Sequence, residues 1–338
     1  MTLLGLVAIA AAVFLLVAFP RMSHDGTGVR RTVDVPPGTG PRALAGILTR
    51  AGATSSPRLF ALWLKLDGRM PRVRSGRFLV PDTATPEEIV GILTARGGGL
   101  VRVTIPEGFS LSRVAGAFEE AGLFHAKDVR DALRDRTLLG SLGIPGPSAE
   151  GFLFPDTYFI DPSRGPKDAL AMMHEGFVKR VIAGLFNGRP PKDLLAVVTL
   201  ASIVQAEAAD ASEMPVIAGV FENRLTRPDF PSHLLQADPT VAYGCEASFA
   251  PVSAACARFL GTLTRAQLDD PDNPYNTYEH AGLPPGPICN PGLDALRAAL
   301  HPAKVPYLYF VMGAGGHHTF SATLEEHERA VARYRAGR

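Results

Sequence analysis

Apolar positions open the chain as one unbroken block. Residues 3–19 (LLGLVAIAAAVFLLVAF) carry no charge over about 17 positions, the short end of what spans a bilayer. A buried soluble helix of that length normally holds a polar residue, and a cleavable leader would end in small residues spaced as A-x-A, which Val17-Ala18-Phe19-Pro20 lacks. The pattern predicts an uncleaved membrane anchor that continues into a short polar linker, Ser23 to Gly28, so that residues 1–29 form the first segment. Arg21, Arg30 and Arg31 follow the block and none precedes it. By the positive-inside tendency this does not favour export of the C-terminal bulk, although long domains translocate regardless of charge.

Beyond the linker the pattern repeats. Val33 to Gly52 (VDVPPGTGPRALAGILTRAG) aligns without gaps on Val103 to Gly122 (VTIPEGFSLSRVAGAFEEAG), matching Pro36/Pro106, Gly38/Gly108, Ala45/Ala115, Gly46/Gly116 and Gly52/Gly122. A looser copy starts at Phe78. Each copy reads as a short alternating strand, a Pro/Gly turn, and a helix with apolar residues at helical spacing that stops at Gly. In the third, Thr85 is placed to cap its helix, with Pro86 at the first position. A further helix, Pro57 to Leu66, carries the single Trp, Trp63. Strand-helix-helix-strand over residues 30–102 is the order of a LysM-like module, a class that binds N-acetyl sugars. Trp63 itself, on an apolar stripe, reads as core.

The remaining residues, 103–338, predict a larger mixed α+β domain. Asp193 to Glu207 (DLLAVVTLASIVQAE) is apolar almost all round and therefore buried. Asp210-x-x-Glu213 reads as a capping box for a helix from Met214 to Leu225, with Pro215 in its first turn. Glu207 ends the buried helix, where desolvation and the negative end of the helix dipole both raise a carboxyl pKa. That suits a proton donor. By spacing alone, however, the favoured reading is a solvated residue that only marks where the helix surfaces.

Three later segments bear on the choice. Gln236 to Gly244 (QADPTVAYG) sets Gln236 and Asp238 at a Pro turn. Tyr275 to Pro291 (YNTYEHAGLPPGPICNP) gathers Tyr275, Asn276, Thr277, Tyr278 and Asn290 around a stiff Leu-Pro-Pro-Gly. Pro306 to Met312 and a segment from His318 read as two strands, followed by a helix opened by the box Thr323-x-x-Glu326. Aromatic rings and amide side chains suit a polysaccharide groove, and proline-stiffened core loops have the same composition.

Composition narrows the classes. The chain has 338 residues, 46% hydrophobic and 20% charged, with 34 basic against 33 acidic residues. It has no basic excess for a nucleic-acid backbone. Its 34 Gly and 29 Pro punctuate the sequence without forming a tract, and three Cys exclude a disulfide-stapled miniprotein. No C-x-x-C or H-E-x-x-H is present, so no metal is expected.

The motifs resemble the endolytic murein transglycosylase family, the YceG-like proteins. The resemblance rests on Leu200-Ala201-Ser202-Ile203-Val204 leading to Glu207, on Val220-Phe221 with Asn223-Arg224-Leu225, and on Asp238-Pro239-Thr240-Val241 with Tyr243-Gly244. It continues through Tyr275-Asn276-Thr277-Tyr278, Gly282-Leu283-Pro284-Pro285-Gly286 and His301-Pro302-Ala303-Lys304. It implies an α+β protein with an N-terminal transmembrane helix, a LysM-like module and a catalytic domain in the periplasm, held at the inner membrane. The reaction implied is cleavage of MurNAc–GlcNAc bonds within glycan strands of peptidoglycan, leaving 1,6-anhydro-MurNAc ends. Glu207 would act as general acid and then base, without cofactor. Ser202, Gln236, Asp238, Thr240, Tyr243, Tyr275, Asn276, Thr277, Tyr278, Asn290 and His318 are the expected substrate-binding residues, and penicillin-binding proteins the expected partners. Where relatives commonly carry Glu two residues before the acid, this chain has Gln205, which points to another helix face.

In an oxidising compartment Cys245 and Cys256 are close enough in sequence to bridge, leaving Cys289 over. Two other functions stay open on sequence: a hydrolytic muramidase pairing Glu207 with Asp238 or Asp156, and a wall-binding scaffold without turnover. A PLP-dependent lyase fits poorly, for want of a phosphate loop paired with a Schiff-base lysine.

Overall fold

The computed structural model describes residues 3–23, 25–95, 99–162, 164–246 and 253–336. Two compact units emerge: Met1–Val103 with Tyr158–Gly165, and Thr104–Thr157 with Pro166–Arg338. The secondary structure is α+β, with many helices and three two-stranded sheets among the described residues.

In the first unit, α1 (Leu3–Val13) passes into a π-helical stretch, Phe14–Ala18, and a 3-10 turn, Phe19–Arg21. Because the run changes form at Phe14, no helix among the described residues is long and apolar enough to cross a membrane. The expected single transmembrane helix is therefore not found in that form. Its C-terminal end packs on the unit: Phe19 is buried edge-on against Trp63, with ring centroids 6.4 Å apart.

β1 (Arg30–Val35), α2 (Pro41–Arg50), α3 (Pro57–Asp67) and β2 (Gly76–Pro81) follow in the expected βααβ order, and the two strands pair antiparallel from Arg30↔Pro81 to Val35↔Gly76. Alternation puts Val33, Val35, Phe78 and Val80 inward against Leu44, Leu48, Phe60 and Leu64, all buried. Each such side chain contributes about 1.5–3 kcal/mol. Trp63 is core, 3% exposed. α4 (Pro86–Thr94) begins with a complete capping box, Thr85 with Glu88.

The repeat is real in three dimensions. β3 (Val101–Ile105) and α5 (Leu111–Glu120) reproduce β1 and α2. Gly52 and Gly122 end the two helices at φ +75° and +69°, a left-handed conformation that favours Gly. In each case the next amide closes the cap, Ala53 onto the Leu48 carbonyl and Leu123 onto that of Phe118.

The second unit holds α6 (Ala126–Ala132), α7 (Arg136–Leu142) and the N-terminal part of β4 (Asp156–Ile160), which pairs with β3. It continues with α8 (Pro166–Phe177), extended by π-helical Val178–Leu185, then α9 (Leu194–Glu207), α10 (Met214–Thr226), α11 (Asp238–Glu246), α12 (Arg265–Leu268) and α13 (Leu293–Leu300). β5 (Tyr309–Met312) and β6 (His318–Ser321) form an antiparallel hairpin, and α14 (Leu324–Ala336) follows with the Thr323/Glu326 box in place. At the centre α9 packs against α13, α10 and α11. Val198, Ala201, Ile203 and Val204 are fully buried there with Ile217, Val220, Phe221 and Leu296.

Two local expectations are corrected. The Pro turn expected at Gln236 and Asp238 is instead the start of a helix, because α11 begins at Asp238. Asp210 and Glu213 form no side-chain cap: Asp210 accepts from Ser212, while Glu213 is drawn to His318 from β6. Cys245 and Cys256 form a disulfide, and Cys289 is free and buried.

Candidate active site

α9 delivers Glu207. Asp193 starts the helix by accepting from the Ala196 amide at 3.0 Å, and the chain leaves it at Ala208 in an extended conformation. Glu207 thus occupies the negative end of a buried helix. Part of its surface stays open, and among the described residues no hydrogen bond or ion pair engages its carboxylate. Burial pushes its pKa up to about 7, the Asp238 charge adds to the rise, and Arg224 opposes it. Below neutrality the group holds a proton, and at neutrality it is poised to give or take one.

Asp238 heads α11, exposed, and its Oδ1 accepts from the Tyr278 hydroxyl at 2.7 Å. Burial, Asp238 and Glu207 all push the Tyr278 phenol up, so it remains a donor. Arg224, on α10, is 6% exposed. Its Nε donates to the Leu308 carbonyl at 2.7 Å and its other arm to that of Leu235, while Phe230 and Tyr309 flank the guanidinium at 5.7 and 5.5 Å. The segment it grips is unusual. His233 and Gln236 have φ of +49° and +51°, which is strain in residues other than Gly. Backbone bonds from Gln236 to the Thr277 carbonyl and from Gly282 to that of His233 hold it. Rigid delivery of Asp238 beside Glu207 is the result.

A second carboxyl lies deeper. Glu150, 2% exposed, accepts from the Leu111 amide at 3.1 Å and from the Tyr243 hydroxyl at 2.9 Å. Burial outweighs those bonds and pushes its pKa up to about 8. Tyr275 meets Tyr243 edge-on at 4.9 Å, and burial takes its phenol up to about 12. The sequence signal for Glu150 was a charge opening the apolar run Gly151 to Pro155. Arg224 had no such signal beyond its motif.

The expected binding residues divide. Glu207, Gln236, Asp238, Tyr275 and Tyr278 keep accessible surface. The others hold their polar atoms in bonds within the fold, and all but the partly buried His318 are buried. Ser202 donates to the Thr199 carbonyl and accepts from the Ile288 amide. Thr240 and Thr277 pair hydroxyl to hydroxyl at 2.9 Å, and Thr277 also accepts from the Ala237 amide. Asn276 donates to the carbonyls of Gln267, Leu268 and Asp270, and Asn290 bridges the Leu153 amide to the Phe109 carbonyl. Tyr243 is committed to Glu150, and His318 to Glu213 at 2.8 Å. Asp156 pairs with Arg180 at 2.9 Å. Among the described residues no three His, Cys, Asp or Glu side chains converge as a metal-holding group.

Comparisons with known proteins agree on one relationship. Residues 33–333 match the model of the YceG-like family. A Bacillus subtilis protein named "Endolytic murein transglycosylase" is 30% identical over 321 residues, covering 89% of this chain and 84% of that protein. A Streptococcus pneumoniae protein of the same name is 29% identical over 333 residues, which is 90% of this chain and 58% of the longer streptococcal one. Among solved structures, a yceG-like protein from Listeria monocytogenes superposes with a TM-score of 0.55 at 27% identity, covering 90% of this chain and 99% of that one.

Proposed function

The chain belongs to the YceG-like family, and from that premise we propose that it is a membrane-anchored endolytic murein transglycosylase whose acid is Glu207. The class is that of its curated relatives, a lytic transglycosylase acting on peptidoglycan. The observation that carries the assignment to Glu207 is a half-buried carboxyl without a hydrogen-bond partner among the described residues, its pKa raised to about 7, electrostatically coupled to Asp238 and to the Tyr278 phenol.

In the proposed reaction Glu207 donates its proton to the glycosidic oxygen as the MurNAc C1–O bond breaks, and the GlcNAc hydroxyl leaves. The resulting carboxylate then takes the proton of the MurNAc C6 hydroxyl while that oxygen bonds to C1. Atoms balance without water. The nucleophile is the substrate's own, so no second carboxylate is obligatory, unlike an ordinary two-acid glycosidase. The Asp238 carboxylate, hydrogen-bonded by Tyr278, supplies negative charge near the oxocarbenium-like centre. The apolar block at 3–19 supports anchoring at the inner membrane, and the murein-acting relatives, against the charge pattern around that block, support a periplasmic catalytic unit. The βααβ unit supports a LysM-like role, and wall-synthesis proteins such as penicillin-binding proteins are the proposed partners.

The test is digestion of purified peptidoglycan by the full chain and by Glu207→Gln, read by mass spectrometry. Wild type leaves anhydro ends, and the variant loses about 10²-fold or more of its turnover. Reducing ends would instead indicate a hydrolytic muramidase, the reading favoured by the open Asp238 carboxylate near Glu207. Unchanged turnover in the variant would remove Glu207 from the chemistry.

A further inference from the structure

Charge is unevenly divided in this nearly neutral chain. The first unit carries 14 Lys and Arg against 7 Asp and Glu, and the second carries 20 against 26. The excess positive charge therefore belongs to the unit that bears the apolar N-terminal helix.

Within that unit α3 has an unusual outer face. Phe60, Ala61, Trp63 and Leu64 point into the core, while Leu59, Leu62 and Leu66 are 38%, 49% and 57% exposed. At 100° per residue the three leucines fall within about 60° of one another, and Arg58 and Lys65 line one edge of the stripe. Between α2 and α3 runs a groove of about 470 Å³ whose lining includes Arg42, Arg58, Lys65 and Leu62 and no acidic residue. All three cations are exposed, and among the described residues no hydrogen bond or ion pair engages them.

Place ties this face to the apolar block. The stretch Phe14–Ala18 packs against α3, and Leu15 and Phe19 join the same core. A helix face with leucines at its centre and unpaired cations at its border is built for the boundary between headgroups and acyl chains. Each cation near an anionic leaflet adds attraction of the kind polybasic segments use. The hydroxyl and N-acetyl groups of a sugar ring are neutral, so the rings of a glycan offer three cations no counter-charge. We propose that the α3 face of the first unit lies on an anionic phospholipid surface, with Arg42, Arg58 and Lys65 on headgroup phosphates and Leu59, Leu62 and Leu66 entering the acyl boundary. The inference rests on the reading of residues 3–19 as a membrane anchor and goes beyond it, since it assigns a second, peripheral contact to a different element.

The experiment uses the full chain with Leu62→Cys labelled by an environment-sensitive fluorophore. Cys245 and Cys256 are bonded and Cys289 is buried, so position 62 supplies the accessible thiol. The protein is reconstituted into vesicles of phosphatidylcholine alone or with one third phosphatidylglycerol, and flotation is recorded beside emission. The expected result is a blue shift and quenching by brominated acyl chains in the anionic vesicles. Both should be lost at 0.5 M NaCl and in the Arg42→Glu, Arg58→Glu, Lys65→Glu triple variant, whose sites are exposed and outside the core. Flotation with an aqueous label in anionic vesicles overturns the docking and leaves the anchor standing. Equal response in neutral vesicles also overturns it. A label that responds only in anionic vesicles, without flotation in neutral ones, supports the docking and sinks the anchor.

Discussion

The Tyr278 hydroxyl donates to Asp238 Oδ1 at 2.7 Å, and Asp238 is in turn the charged side chain that most raises the proton affinity of Glu207. The two acids are electrostatically linked although the hydrogen bond belongs to only one. Asp238→Asn keeps the shape, and its carbonyl still accepts from Tyr278, but it removes the negative charge. The Glu207 pKa should fall from about 7, so the loss of general-acid activity with rising pH begins earlier. A pH–rate profile of glycan cleavage measures this. An alkaline limb that stays in place would break the link.

Glu150 ties stability to pH. Its folded pKa of about 8 lies above the unfolded value of about 4.3. The folded state therefore holds a proton that the unfolded chain releases across that interval. The contribution of Glu150 to stability is fully present below pH ~4, declines as pH rises to about 8, and is then level, with a total loss from this site of roughly 3–5 kcal/mol. Glu150→Gln can still accept from Leu111 and Tyr243 and cannot ionise. Urea unfolding at pH 5 and pH 8 should show a much flatter dependence in the variant, the residual slope coming from Glu207. An unchanged slope excludes Glu150 as its source.

Much of this arrangement was legible because it is local. The paired strand-turn-helix units announced themselves through glycines at matching positions, and Gly52 and Gly122 do end their helices at positive φ. The all-round apolar run up to Glu207 identified α9 and its terminal carboxyl. What was misread depends on partners far along the chain. Glu213 had the right spacing to cap α10, yet His318, 105 residues on, takes both its oxygens. Asp238-Pro239 was read as a turn, although the same pair suits a helix start. Asn276, Asn290, Thr240 and Thr277 sit in proline-rich text with no periodicity, so nothing local separates a polar side chain facing inward from one facing a ligand. Glu150 takes its hydroxyl partner from Tyr243, 93 residues away.

Arg224 gives a prediction of opposite sign. It lowers the Glu207 pKa while Asp238 raises it, and it donates to the carbonyls of Leu308 and Leu235. Arg224→Met should move the alkaline limb to higher pH, contrary to Asp238→Asn. It also leaves those buried carbonyls without donors, at about 1–3 kcal/mol each. Arg224→Lys restores the charge but not the two-armed reach, so its limb should return towards wild type while the urea midpoint stays low. A lysine variant with a wild-type midpoint would show that the fork geometry is dispensable.

Gln205 tests whether the neighbour of the acid matters to it. Its Oε1 accepts from the amide of Gly292, the cap of α13, at 2.9 Å. The Glu107 carboxyl lies against the same Gly292 and is raised by burial and by Asp294. Gln205→Glu keeps the acceptor, and the positive end of α13 favours a carboxylate there. The added charge falls beside Glu107, whose pKa should rise further, while Glu207 projects from another face of α9. Turnover should hold within a few-fold with its alkaline limb unmoved. Gln205→Leu, by contrast, strands the Gly292 amide and should cost about 1–3 kcal/mol in urea unfolding. If Gln205→Glu displaces the limb towards higher pH, residue 205 acts on the acid directly, and the separation of the two helix faces is not enough to insulate Glu207.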